Sequence, residues 1–303
     1  MPPTLITGGS GFLGRHLLSF LRGEVIAIGR RRPSGIDTDH FLHGDLLDRA
    51  TLGTLVSEVA PSLVFHLAGL TPPGDAEGFY RSNTLATLHL LDALRSAGRS
   101  CRVILVGSAA ELGPVPAEAL PVGEGWACSP DGPYGLSKWL ATCAGLAARP
   151  PLEVVVARVF NPIGPGLPTS QAFGRFAAEL ARGLGPLRLE VGDLDARRDF
   201  VDARDVARAL IALAKLGRAG RLYHVGTGYS RSIREGLEGL IRLSGHDVTV
   251  EVAPTFARPG GPSDSRADVG RIAGEVGWSA EIPWEQSLGD LWAETSAGLL
   301  GRD

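Results

Sequence analysis

The chain of 303 residues is 44% hydrophobic and carries a formal net charge of -3, a balance that suits a soluble globular protein of one large or two modest domains. Its cations are nearly all arginine, spread along the chain and matched by acids, so no basic stripe marks a nucleic-acid face. The Met1-Pro2-Pro3 start runs straight into Leu5-Ile6 without a signal-peptide pattern, and apolar runs such as Val103 to Val106 fall far below the roughly 18 residues of a membrane helix. A cytoplasmic protein without membrane attachment is expected.

In chain order, Thr4 to Thr7 reads as a first strand, and Thr7-Gly8-Gly9-Ser10-Gly11-Phe12-Leu13-Gly14 leads from it into a helix near Phe12 to Arg22. Glycines there permit a tight turn, let the backbone approach a pyrophosphate and allow close helix packing, while the helix N-terminus favours negative charge. In so glycine-rich a chain this spacing is expected about 0.7 times by chance, so its weight comes from lying between a strand and a helix. Gly8, Gly11, Phe12, Leu13 and Gly14 are therefore candidates for holding a dinucleotide.

The second strand, Val25 to Ile28, runs into Gly29-Arg30-Arg31-Arg32. An NAD site normally carries an acid here for the ribose hydroxyls, whereas a guanidinium pairs with a 2′-phosphate. Arg30, with Arg31, thus points to NADP(H) over NAD(H), the alternative being a solvated basic loop. After a third strand, His40 to His43, Asp45 with Leu46 lies beside an adenine, or Asp45 caps the helix expected over Arg49 to Val59. Strands at Leu63 to His66 and Val103 to Val106 flank a helix over Phe79 to Ala97.

This alternation predicts an α/β fold, a doubly wound parallel sheet of Rossmann type, over residues 1–160. Beyond Asn161, helices near Ala172 to Arg182 and Arg204 to Leu216 and a strand at Leu222 to Val225 form a smaller C-terminal lobe, residues 161–303, over the strand ends, with some segments returning to the first domain. Cys101, Cys128 and Cys143 form no Cys-x-x-Cys pair, and neither a disulfide framework nor a metal site is expected.

Tyr134-Gly135-Leu136-Ser137-Lys138 sets a phenol and an ammonium four residues apart, on one face of a helix. In a chain with so few tyrosines and lysines the spacing arises by chance only about 0.03 times, so it weighs more than the glycines. A tyrosine ionises near pH 10, and an adjacent cation stabilises the phenolate; reaching neutrality takes about 3 units, roughly 4 kcal/mol. Such a tyrosine passes a proton to or from a substrate oxygen while a hydride moves to or from a nicotinamide. Ser108, ending the strand Val103 to Val106 and the glycine after it, is a third candidate, as a hydrogen-bond partner of the reacting oxygen.

The glycine loop, His66-Leu67-Ala68-Gly69, Asn83, Ser108 and Tyr134-x-x-x-Lys138, in this order, resemble the extended short-chain dehydrogenases/reductases of the NAD-dependent epimerase/dehydratase group, over essentially the whole chain. The resemblance implies that Lys138 also holds the nicotinamide ribose, that Leu67, Ala68 and Gly69 line the cofactor, and that Asn83 supports the site from its helix. Arg158-Val159-Phe160-Asn161 and Arg197-Arg198-Asp199-Phe200 resemble the group's substrate segments, which implies that Asn161 and Arg198 contact sugar and diphosphate. Arg258 resembles a further diphosphate contact; otherwise Arg198 and Arg258 form local salt bridges, for example with Asp199 or Asp264.

The dehydratases of the group place Asp-Glu after the active-site hydroxyl, where this chain has Ala109-Ala110. The segments Gly107 to Pro114 and Val191 to Phe200 look most like the GDP-6-deoxy-4-keto-mannose reductases, although Leu112 stands where a Tyr is usual and Pro162 where those reductases often carry His. The implied reaction is NADPH-dependent reduction of a nucleotide-linked 4-keto-6-deoxy sugar, GDP-linked by preference, with Tyr134 as proton donor. The alternatives are a sugar-nucleotide 4-epimerase with tightly bound cofactor and a non-catalytic NADP sensor. The resemblance also implies a homodimer through the helices near Phe79 to Ala97 and Gly132 to Ala148, with Leu85, Leu88 and Leu91 as its apolar surface.

Overall fold

The computed structural model describes residues 3–183, 187–253 and 263–300. Seven strands form one parallel sheet: β1 (Thr4–Thr7), β2 (Val25–Gly29), β3 (Phe41–His43), β4 (Leu63–His66), β5 (Cys101–Ser108), β6 (Leu152–Val159) and β10 (Leu222–Val225), in the order β3-β2-β1-β4-β5-β6-β10. The central strands are apolar on both faces because helices cover both. Successive residues alternate between the covers. Ile6, Phe65, Ile104 and Val155 pack on the side of α1 (Phe12–Phe20) and α7 (Ala203–Leu216), and Leu5, Val64, Val103 and Val154 on the side of α2 (Arg49–Val59) and α4 (Ala86–Ser96).

The helix predicted over Phe79 to Ala97 is interrupted in a particular way. A short α3 (Ala76–Phe79) passes into a π-helical turn over Tyr80–Leu85 before α4 resumes α geometry. The extra residue of a π turn rotates the chain, and such turns gather at functional sites; this one points Asn83, 1% exposed, inward. Of the leucines proposed as dimer surface, Leu91 turns into the core at 7% exposure, while Leu85 and Leu88 stay exposed.

α5 (Pro133–Ala147) packs against β5 and the π turn, starting with Pro at a position where its missing N–H costs nothing. β6 corresponds to no strand expected from the sequence.

A second group of elements lies beyond the sheet edge. β7 (Asn161–Ile163), β9 (Arg197–Asp202) and β11 (Ser230–Ser232) make a three-stranded sheet, and β8 (Leu187–Val191) pairs in parallel with β12 (Val248–Val252). α6 (Ala172–Arg182), α8 (Ile233–Ser244) and α10 (Trp284–Leu300) enclose a core of Phe173, Phe176, Leu180, Leu240 and Leu291. α9 (Gly270–Val276) packs back on β10. Among the described residues, no helix is long and apolar enough to cross a membrane.

Candidate active site

The parallel register fixes where the chemistry sits. Thr7 lies beside Ile28 and His66, His66 beside Leu105, and Ser108 beside Val159. The segments that leave these strands, the glycine loop, Arg30, Leu67 to Gly69, Ser108 and Asn161, therefore emerge on one edge, where ligands of doubly wound sheets bind.

The loop after β1 meets the requirements of a dinucleotide cradle. Gly8 has φ +75° and lies so close to the Ala68 backbone that a Cβ there would collide with it. The residue before α1, Gly11, offers no side-chain cap, unlike α2, α7 and α8, whose starts are capped by Asp48, Asp202 and Ser232. The amides of Phe12 and Leu13 in the first turn thus have no acceptor in their own helix and suit an anion. Arg30 and Arg31 are exposed and make no hydrogen bond or ion pair among the described residues, so both guanidinium groups are available to a ligand. Asp45 is not a helix cap: Asp48 accepts from Thr51 N at 3.1 Å and caps α2, while Asp45 closes a turn by accepting from Leu47 N.

A chain of hydrogen bonds ties this cradle to α5. Asn83 accepts from Leu70 N at 2.7 Å and donates to Leu70 O and to Ser137 Oγ, which itself donates to Tyr134 O. Gly69 leaves the space that the Asn83 side chain occupies. Behind it, Thr87 Oγ1 donates to Asn83 O, so His66 must carry its proton on Nε2, donating to Thr87, and accept from Thr7 Oγ1 on Nδ1 at 2.6 Å. Burial, with the Lys138 charge nearby, takes the His66 pKa down to about 3. His66 entered the sequence reading only as part of a motif; its role as a neutral two-way strut was not read from it.

Ser108, Tyr134 and Lys138 come together at the end of β5. The Ser108 side chain hydrogen-bonds Tyr134, whose ring meets Phe79 edge-on at 5.5 Å. Lys138 Nζ donates to Val106 O at 2.6 Å, with two further N–H bonds to give. The sign of the tyrosine shift differs from the sequence expectation. Burial raises the Tyr134 pKa; the Ser108 hydrogen bond lowers it in part and the Glu111 carboxylate raises it further. Lys138 is itself lowered by burial, against an opposing pull from Glu111, and spends one N–H on a carbonyl. The phenol is thus held protonated, the form that gives a proton away.

Glu111 and Arg158 are the residues that the sequence reading missed. Glu111, 0% exposed, accepts from Ser108 N at 2.7 Å and Thr142 Oγ1 at 3.0 Å, and pairs with Arg158, 1% exposed, at 2.9 Å. The pattern Ser108-x-x-Glu111 is that of a capping box, and this was the signal available. Arg158 also reaches Cys128 Sγ and His224 Nε2, leaving the His224 proton on Nδ1 for Val122 O.

On the facing lobe, Asn161 and Arg198 lie on adjacent strands: Asn161 donates to Asp199 O, and Arg198 is half-buried near Asp193 and Asp264. Asp199 is no partner of Arg198. Its carboxylate turns inward and accepts from Thr227 and from the Gly228 and Ala267 amides. Arg258 lies outside the described residues.

Residues 4–226 match the NAD dependent epimerase/dehydratase family. GDP-6-deoxy-D-mannose reductase from Pseudomonas aeruginosa is 36% identical over 292 residues, covering 93% of each chain. UDP-glucose 4-epimerase from Erwinia amylovora is 29% identical, over 95% of this chain and 96% of its own. Among solved structures, that of RMD from Pseudomonas aeruginosa complexed with NADPH superposes with a TM-score of 0.85 at 32% identity, covering 98% of this chain and all of that one. With its glycine cradle, its Ser108, Tyr134 and Lys138 and these relatives, the chain belongs to the NAD dependent epimerase/dehydratase family.

Proposed function

We propose that the protein is an NADP(H)-dependent oxidoreductase that reduces the C4 keto group of a nucleotide-linked 4-keto-6-deoxy sugar, with a GDP-sugar favoured. The observation that carries the reading is the convergence of Ser108, Tyr134 and Lys138 at the sheet edge, with Ser108 hydrogen-bonded to Tyr134 and Lys138 Nζ on Val106 O. When bound, the nicotinamide cofactor supplies the hydride. Gly8, Gly11, Phe12, Leu13 and Gly14 hold its pyrophosphate, Arg30 and Arg31 its 2′-phosphate, Asp45 and Leu46 flank its adenine, and Leu67, Ala68, Gly69 and Asn83 line its remaining length.

Ser108 donates a hydrogen bond to the carbonyl oxygen, and Tyr134 delivers the proton that completes the alcohol. Lys138 holds the ribose with its free N–H bonds and stabilises the phenolate that Tyr134 becomes. Asn161 contacts the sugar, and Arg198, with Arg258, clamps the diphosphate. The similarity to the Pseudomonas aeruginosa reductase supports a GDP-linked keto sugar, and its NADPH-bound structure supports NADPH.

The second reading is a nucleotide-sugar 4-epimerase that keeps NAD(P) bound, supported by the similarity to the Erwinia amylovora enzyme. Arg30 in place of an acid favours the reductase. NADPH consumption with GDP-, dTDP-, UDP- and CDP-linked 4-keto-6-deoxy sugars decides: stoichiometric oxidation that Tyr134→Phe abolishes supports the reductase. Inertness toward all of them, with cofactor tightly bound to the purified protein, supports the epimerase.

The working form is a homodimer. Leu85 and Leu88 on one helix, and Leu136 and Leu140 on α5, are 37–42% exposed and form the apolar surface for the partner copy. Leu88→Glu with Leu140→Glu yields a monomer in sedimentation velocity; a parent that sediments as a monomer contradicts the dimer.

A further inference from the structure

The buried carboxylate of Glu111 is a costly group for the fold to carry. Its environment costs several kcal/mol per charge in desolvation, and a buried ion pair is often replaceable by apolar side chains without loss of stability. What distinguishes this pair is the third partner. Glu111 Oε2 is occupied by Arg158, through Nε at 3.0 Å and Nη2 at 2.9 Å, while Oε1 accepts from Thr142 Oγ1 at 3.0 Å and from the Ser108 amide at 2.7 Å. Gly107 leaves the space in which this carboxylate sits, since a Cβ there would stand 2.5 Å from Oε1.

The Ser108 hydroxyl is fixed from its other side. Its Oγ accepts from Ala110 N at 3.2 Å, which closes the reciprocal box around the turn Ala109–Glu111. With one lone pair so used, the hydroxyl keeps its single proton for the side of the site, where it meets Tyr134 and from which a substrate oxygen can take it over. Arg158 is anchored in turn by Cys128 and by His224, and it lies 5.7 Å from the centre of the Trp139 ring on α5.

We propose that Glu111, clamped by Arg158 and Thr142, is a positioning residue that holds Ser108 as a hydrogen-bond donor toward the substrate oxygen. The inference rests on the keto-reduction reading. It assigns Glu111 no contact with substrate: the carboxylate acts through the Ser108 backbone.

Two variants separate reach from charge. Glu111→Asp keeps the charge that neutralises Arg158 but withdraws the carboxylate by about 1.5 Å, too far to hold the Ser108 amide. Glu111→Gln combined with Arg158→Gln removes both charges and keeps an acceptor at full reach. Positioning predicts that Glu111→Asp lowers kcat about 100-fold with KM within about threefold, the scale of losing one oriented donor, and that the double variant stays within about tenfold of the parent. In a Ser108→Ala background, Glu111→Asp then produces no further loss.

The reverse order of the two variants, or an undiminished effect of Glu111→Asp without Ser108, overturns the proposal. If Glu111→Asp does not fold, Glu111→Met with Arg158→Met removes the acceptor without leaving a buried charge, and carries the same expectation. A parent that reduces no keto sugar defeats the functional reading instead. In that case crystal structures of the variants still decide: a Ser108 hydroxyl that keeps its place in Glu111→Asp overturns the positioning role.

Discussion

Gly135 of α5 lies against the backbone carbonyl of Ala110, with the Pro130 side chain 3.1 Å from where its Cβ would stand. Helix and serine loop can approach this closely because the glycine has no side chain, and the approach sets Tyr134 beside Ser108. Gly135→Ala therefore pushes α5 off the loop. Displacements of about 1 Å at reacting groups cost about 100-fold in rate, so kcat falls by that order, while NADPH affinity falls much less, because of the cofactor contacts proposed here only Tyr134 and Lys138 move with α5. Steady-state kinetics with cofactor titration check this; unchanged kcat would show that the close approach is incidental.

On the proposed reading, cofactor choice rests on two exposed arginines without partners among the described residues. Removing Arg30 and Arg31 together eliminates the guanidinium groups proposed for the 2′-phosphate, each charge-assisted bond being worth about 1.5–3 kcal/mol. Arg30→Ala with Arg31→Ala is expected to raise KM for NADPH by at least about tenfold and to leave KM for NADH nearly unchanged. Equal changes for both cofactors would mean that these side chains form a solvated loop.

The direction of the Tyr134 shift gives a pH signature. The proposed reduction uses the protonated phenol, and burial holds its pKa above the ordinary tyrosine value near 10. Rates of keto reduction, as kcat/KM, are expected to stay flat from about pH 6 to about pH 9, while the reverse oxidation, which needs the scarce phenolate, rises nearly tenfold per unit. A forward rate that declines with a midpoint near neutrality is incompatible with this assignment.

Much of the first half was legible because its strands are apolar on both faces and its helices are bounded by glycine or a capping acid. β1, β4 and α2 fall where the pattern placed them. β6 was hidden because an apolar run after Pro150-Pro151 carries no alternation to distinguish strand from core helix. α8 carries a clear stripe of Ile233, Leu237, Leu240 and Ile241 that was passed over, whereas in α10 Gly, Ala, Ser and Thr blur the apolar face. At the site, Tyr134 and Lys138 declared themselves by spacing. Glu111 did not: an isolated acid in a loop looks like surface, and only the fold brings Arg158, 47 positions away, against it.

The two buried histidines make stability depend on acid. His66 and His224, 2% and 0% exposed, have pKa values taken down to about 3, by burial and then by the charges of Lys138 and Arg158 respectively. In the unfolded chain they titrate near 6.5, so between about pH 6.5 and about pH 3 the unfolded state binds more protons. Their contribution is complete above the unfolded value and drains away as pH falls. By pH 5 roughly 2 kcal/mol per histidine is lost. Denaturant unfolding at pH 7.5 and pH 5 measures the slope, which His224→Asn is expected to flatten; an identical slope in the variant would show that His224 is already protonated in the fold.

The central claim is a net hydride transfer to a keto sugar, and isotope transfer reads it directly. The protein is incubated with NADPH carrying deuterium at C4 and a GDP-linked 4-keto-6-deoxy sugar, and the product is examined by NMR. The account predicts one deuterium at sugar C4, in a single configuration, with one NADP produced per sugar and none in Tyr134→Phe. A keto sugar that gains no deuterium and oxidises no NADPH, together with inversion at C4 of a GDP-hexose incubated in parallel without added cofactor, would contradict it and identify an epimerase.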